Sequence, residues 1–384
     1  MKTKYMNTRE SGFTLTELVV TLFIMSAIMA ATFASFLTLS KSFKNVSKLT
    51  ESHMEDIAGL DIMRYDIEMA GYGLPRAYFP PDLGISYTEA VSNTTYGTDP
   101  QTLNDAPTSE PRAYVFSDNT GVNGSDVLAV KSLAVALTNV SEKWTFVYYN
   151  GTSWVYRLWN DPRYDFKNND RVIFVSAINK VLQTSGGNWQ FTINGWPTHN
   201  TGSMPTPGSI DIVFLMYGVD AINNLSMPFN RVDYFLYNPP ANVPSRCHPN
   251  TYTLYRAVIN HATGERDIQP LLDCVADIQL AFGLDTNADN IVDSWTSSTI
   301  PTTADLLQQQ LKEIKVFMLV QEGQFDPDFT FVTNPASPAN SIAIGDSSIT
   351  VKTFNFTTPV NFGTDYVHYR WKLYKMVNKP LNLM

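Results

Sequence analysis

The sequence predicts an α+β fold in which one long N-terminal helix, half membrane-spanning and half amphipathic, packs on an antiparallel β-sheet head. Three observations carry this. The stretch from Leu18 to Leu39 holds no Gly, no Pro and no charge. Val46, Leu49, His53, Ile57, Leu60, Arg64 and Ile67 continue it at spacings of three and four, one face of a helix. Beyond residue 112, short β-branched and aromatic runs alternate with turn residues, as in antiparallel sheets.

The helix comes first. At about 1.5 Å per residue the apolar stretch covers about 33 Å, the thickness of one hydrocarbon core, so a single span is expected. Glu17 opens the run. A carboxylate there costs up to about 2.5–3.5 kcal/mol and requires compensation. Ala70-Gly71-Tyr72-Gly73-Leu74-Pro75 ends the helix, glycine supplying the left-handed cap and proline forbidding continuation. Lys2, Lys4 and Arg9 favour a cytoplasmic N-terminus, but Lys41, Lys44 and Lys48 follow the span and weaken an orientation drawn from charge alone. Those three lysines share a face that suits either lipid headgroups or water.

Residues 1–12 are polar and basic, and the apolar segment follows Gly12 directly. A secretory signal has the reverse order, so cutting at Gly12 would leave the helix on the mature chain. The segment GFTLTELVVTLFIMSAIMA resembles the N-terminus of type IV pilins and of the pseudopilins of type II secretion. The resemblance implies cleavage between Gly12 and Phe13 by a prepilin peptidase, N-methylation of Phe13, and a role for Glu17 in assembly. It also implies other pilins as partners through the N-terminal helix, and an inner-membrane assembly platform. After cleavage the Phe13 amine would lie one turn before Glu17, where the helix dipole also favours a carboxylate. The plain alternative is a signal anchor with a glutamate near its end.

The expected divisions are a leader 1–12, a transmembrane half 13–40, an amphipathic half 41–70 and a β-rich head 71–384. Pro197, Gly202, Pro205, Pro207 and Gly208 suggest a lobe boundary near 195–208. Main pilins often carry a proline about twenty residues into the mature helix, whereas Ala31, Thr32, Phe33 and Ala34 stand there. The segment from Arg64 to Gly73, Leu254-Tyr255-Arg256 and the closing HYRWKLYKMVNKPLNL look like PilW-type minor pilins. That likeness implies a subunit that initiates a pilus and stays at or near its tip. A minor pseudopilin of a secretion system and a calcium-dependent tip adhesin are the alternatives.

The formal charge is −9, and about −11 without the leader, which makes nucleic acid a poor partner. Cys247 and Cys274 are the two cysteines. In an oxidising compartment they would form a disulfide stabilising by roughly 3 kcal/mol. A zinc site with His248 and His261, or two free thiols, are the other readings.

In the head, residues 76–112 read as a long surface loop. Strands are expected at 126–130, 144–149, 155–159, 171–175, 189–193, 210–216, 231–237, 253–258, 275–282, 349–356 and 367–377. Residues 306–321 are ambiguous, with Asp305 able to cap a short helix and 314–320 a buried strand. Asp285, Asn287, Asp289 and Asp293 offer side-chain oxygens at positions one, three, five and nine of a loop, with the Ile291 carbonyl at seven. This is EF-hand-type spacing for calcium. Asn290 replaces the turn glycine and Thr296 the closing glutamate, so affinity would be about 10⁻⁴–10⁻³ M, and a polar hairpin is the alternative. No catalytic motif is present: Asp161 and Asp165 sit in turn-like sequence, and an enzyme is not expected.

Overall fold

The computed structural model describes residues 14–75, 86–107, 109–136, 138–150, 154–196, 213–221, 223–238, 244–332, 340–358 and 361–383. The chain divides into two compact units, Met1–Ser52 and His53–Met384. Helix α1 (Leu15–Met69) runs without a break. In the first unit, Leu15–Ser40 is long and apolar enough to cross a membrane, and its large apolar side chains are exposed. Side-chain hydroxyls turn back onto the helix, Thr21 Oγ1 to Leu18 O at 2.9 Å and Ser35 Oγ to Ala31 O at 3.0 Å, so the helix backbone satisfies them. The leader, and the side chains of Lys41, Lys44, Lys48, Val46, Leu49, His53 and Ile57, lie outside the described residues.

The second unit holds the strands β1 (Tyr114–Ser117), β2 (Val127–Ser132), β3 (Trp144–Tyr149), β4 (Trp154–Tyr156), β5 (Arg171–Ser176), β6 (Phe191–Thr192), β7 (Val213–Asp220), β8 (Asn230–Tyr237), β9 (Tyr252–Ile259), β10 (Arg266–Leu284) and β11 (Ser294–Thr296). Helix α2 (Ala304–Gln310) leads into β12 (Leu311–Glu322), followed by β13 (Ser341–Gly345), β14 (Thr350–Asn355) and β15 (Arg370–Asn378). They form a main sheet ordered β1-β2-β8-β9-β10-β12-β15, with β11 on β10, a second sheet ordered β4-β3-β7-β5-β6, and the hairpin β13-β14. The second sheet is an insertion between β2 and β8. The segment 195–208 joins β6 to β7 of that one sheet, and 197–212 lie outside the described residues.

Strand parity explains the layers. In β8, Val232, Tyr234 and Leu236 join Met63, Ile67 and Ala70 of α1 in one core. A fully buried side chain of this size contributes about 1.5–3 kcal/mol. Arg64 does not share this face as its spacing suggested. It is half exposed and pairs with Asp61 at 3.3 Å, because Met63 and Asp66 take the buried positions. The helix ends as expected, with Gly71 at φ 79°. The chain's last residues return to it: the Leu381 amide bonds Glu68 O at 3.0 Å and Leu383 is buried in the same core.

The opposite face of the main sheet has two covers. Leu103 packs on Val115, Val127, Ala129, Phe235 and Ala257, while Ile344, Phe354, Phe356 and Phe362 pack on Ala281, Phe317 and Leu319. The stretch expected as surface loop is thus partly interior, with Tyr87, Glu89, Ala90, Leu103 and Asp105 buried. Strand β10 is bent by register shifts between Pro270 and Val275 and passes from pairing β9 to pairing β12. Proline is tolerated at such a bulge. The ambiguous segment contains both elements, but the helix is capped by Thr303, whose side chain accepts the Leu306 amide at 3.4 Å, not by Asp305.

Candidate functional sites: helix start, acidic loop and disulfide

The first candidate site lies at the start of α1. Gly12 and Phe13 fall outside the described residues. Thr14 and Glu17 form a reciprocal cap: Glu17 Oε2 accepts the Thr14 amide and the Thr14 hydroxyl, each at 2.9 Å, and the Glu17 amide donates to Thr14 Oγ1 at 3.3 Å. This is a capping box, T-x-x-E, which satisfies orphan amides at the helix start. The signal Thr14-Leu15-Thr16-Glu17 is plain in the sequence, but reading Glu17 only as a partner for an amine overlooks it. The carboxylate is held at the positive end of the helix dipole, next to the chain position that cleavage would turn into an amine.

The acidic loop joins β10 to β11. Asp285 Oδ1 accepts the amides of Ala288 and Asp289 at 2.7 and 3.2 Å, and Oδ2 that of Asn290 at 2.8 Å. Burial opposes the charge on Asp285, but those amides and Lys312 outweigh it and hold its carboxyl below the usual range. Asn290 takes φ 65°, the left-handed turn its position requires. Asp289 accepts the Ile291 amide at 2.8 Å, and Asp293 accepts the Thr286 amide and hydroxyl at 2.9 and 2.8 Å. Asn287 Oδ1 accepts the Asp289 amide at 3.1 Å. Lys312 Nζ stands 3.9 Å from Asp285 Oδ2 and 3.1 Å from Asn290 Oδ1. The side chains of Asp285, Asn287, Asp289 and Asp293 thus all hydrogen-bond within the loop, and among the described residues no three His, Cys, Asp or Glu side chains are gathered for a metal.

Cys247 and Cys274 are joined, with Cα atoms 5.1 Å apart, a usual separation for a disulfide. The bond ties the segment after β8 to the bulge of β10. His248 instead meets Phe362 O at 3.0 Å, and His261 meets Asn230 Oδ1 at 3.0 Å, so neither stands with the sulfurs as a ligand set. Asp161 pairs with Arg163 at 2.7 Å on the surface, and Asp165 accepts the Trp159 amide at 2.8 Å, as their turn-like sequence implied.

Two buried ionic clusters escaped sequence reasoning. Asp66 of α1 accepts Arg256 Nε at 2.6 Å and Tyr234 Oη at 2.5 Å, fixing the helix to β8 and β9. Burial pushes the Asp66 carboxyl up, while Arg256 and Tyr234 pull it down. On the other face, Lys131 contacts Glu89 at 2.7 Å and Asp105 at 2.8 Å, and Arg231 contacts Glu89 at 2.9 Å and Asp233 at 2.7 Å. Arg266 reaches Asp233 at 2.9 Å, and Arg112 reaches Asp105 at 2.8 Å. Burial opposes the charge of Asp233, but Arg231 and Arg266 hold its carboxyl below its ordinary value. Buried charges persist only when paired in this way. These clusters clamp the fold.

Two family models match the chain. The prokaryotic N-terminal methylation motif covers residues 7–33, and the type IV pilus-assembly protein W model, PilW, covers residues 234–377. Both fit a PilW-type pilin. The PilW match runs from the middle of β8 nearly to the end of β15, the main-sheet strands that follow the insertion. The methylation motif with the apolar helix fits a membrane-anchored pilin. No curated protein and no solved structure matches the chain.

Proposed function

We propose that the protein is a minor type IV pilin that helps to initiate a pilus and stays at or near its tip. The carrying observation is the pairing of a methylation motif over 7–33 with a PilW match over 234–377. In this reading a prepilin peptidase cuts between Gly12 and Phe13, Phe13 is methylated, and Glu17 guides docking through the N-terminal helix. The head stands in the periplasm while the inner membrane holds the helix, and later rides on the surface fibre. The work is assembly and not turnover. An unbroken α1 without a mid-span proline and a second compact unit of about 330 residues suit a rare subunit better than a bulk one.

Deleting the gene while scoring surface pili and secreted enzymes in parallel tests this. Loss of pili with normal secretion is expected. Loss of secretion with normal piliation would assign the chain to a secretion pseudopilus, and normal but non-adherent pili would assign it to adhesion. We also infer that the loop from Asp285 to Asp293 takes calcium in the extracellular range. Support comes from Asn290 at φ 65° and from the Asp285 carboxylate wrapped by the amides of residues 288 to 290.

A further inference from the structure

Strand β9 stops pairing with β10 at Val275, and β11 takes up that side only at Phe282. Between them the edge of β10 is closed by the loop of residues 118–126. Asn123 Nδ2 donates to Ala276 O at 2.9 Å. The Asp126 amide donates to Ile278 O at 2.9 Å, and the Leu280 amide donates to Asp126 Oδ2 at 2.8 Å. Asp126 Oδ1 accepts the Asn119 amide at 2.9 Å. One aspartate thus continues the ladder with its main chain and its side chain together.

The same loop seats the β13-β14 hairpin. Lys352 Nζ of β14 donates to Asn123 O at 3.0 Å and to Gly124 O, and it pairs with Asp277 Oδ2 of β10 at 2.8 Å. Gly124 is needed there, since it takes φ +66° and a Cβ would stand 3.1 Å from Lys352 Nζ. Gln279 Nε2 bridges Gly124 O at 2.9 Å and Asp277 Oδ1 at 3.0 Å. Asp126 and Asp277 are 1 % and 0 % exposed. The charged groups facing them are Asp118 of the loop and Lys352 of β14. Two buried carboxyls against one ammonium leave excess buried negative charge unless one carboxyl keeps a proton.

We propose that the loop of residues 118–126 is a proton-dependent seal on the free edge of β10, closed while Asp126 is protonated and loosened, with the hairpin seat, when both carboxyls ionise. Burial pushes Asp126 up to about 7, against the pull of the Asn119 and Leu280 amides. Burial likewise pushes Asp277 up to about 6 despite Lys352. In the opened loop Asp126 would ionise near about 4. The closed loop holds the proton more tightly, so rising pH favours opening. The opening equilibrium grows by up to about tenfold per pH unit between about 4 and about 7, then levels off.

Amide hydrogen exchange of the full chain in detergent, corrected for intrinsic rates, tests the seal at Asn119 and Leu280. Protection should fall by about tenfold or more from pH 5 to pH 7.5 at these amides, with no such slope in the β3-β7 ladder. Asp126→Asn should abolish the slope. Asp277→Asn, which removes a like charge that pushes Asp126 up, should move the levelling point to lower pH. Equal protection at pH 5 and pH 7.5 in the unmodified chain would overturn the proposal. So would a slope unchanged in Asp126→Asn or, should that variant not fold, a levelling point unmoved in Asp277→Asn.

Discussion

Removing the carboxylate of Asp66 tests how α1 is held on the main sheet. Asp66 receives Arg256 Nε at 2.6 Å, Arg256 Nη2 at 3.4 Å and Tyr234 Oη at 2.5 Å. All three residues are at most 2 % exposed. In Asp66→Ala the guanidinium keeps the Val135 carbonyl and the distant Gln269 oxygen but loses its counter-ion. Breaking a buried pair by deleting one partner costs about 3–5 kcal/mol, and the orphaned tyrosine hydroxyl adds about 1 kcal/mol. At about 2.1 cal/mol/K per residue, a unit of about 330 residues unfolds with an entropy near 0.7 kcal/mol/K, so the melting temperature should drop by about 6–9 °C. Replacing both partners, Asp66→Leu with Arg256→Met, removes the buried charge altogether and should restore melting to within about 2 °C of the parent. Calorimetry of the full chain in detergent reads both. An Asp66→Ala melt within 1 °C of the parent would refute the reasoning.

Gly12→Leu should leave the leader attached by intact-mass measurement, while Glu17→Val should be cut normally yet fail to enter a fibre; normal cutting of the first variant would count against the processing site. Calorimetric titration should show calcium binding near about 10⁻⁴–10⁻³ M, lost in Asp285→Ala, and the absence of heat in the unmodified chain would remove the site. His261 is buried and its imidazole is pushed down to about 4, so the folded chain disfavours its protonation. Stability should therefore fall as pH drops from about 6.5 towards about 4. His261→Gln should flatten that part of the pH–stability curve, and an identical curve for the variant would sink the assignment.

Local pattern decided which parts of the fold could be read in advance. Strand β3 has its expected bounds because Thr145 and Val147 point inward between Trp144, Phe146 and Tyr148, a period of two that no helix shares. Strand β10 was expected only from 275, since Asp267, Gln269, Pro270 and Asp273 break the apolar pattern and bulges then shift the register between Pro270 and Val275. Strands β1 and β13 were missed: four and five residues give too few periods to stand out. The helix–strand junction at 310–311 was undecidable by periodicity: the Thr303 cap fixes where α2 starts, and the backbone turns extended only at Leu311. At the candidate sites, the Thr14–Glu17 box and the positions of the acidic loop are local and legible. The pairing of Glu89 with Arg231 spans 142 residues, and no one-dimensional pattern reports it.

The anchoring of α1 also has a mechanical meaning. Its carboxylate grips β8 and β9, interior strands of the main sheet, and the chain's final residues fasten to the same helix end. Tension passed through the last turns of α1 would meet strands hydrogen-bonded on both sides, and no edge strand lies first in its path. Rupture by pulling would then need many ladder bonds to shear together, whereas an edge attachment could peel one bond at a time.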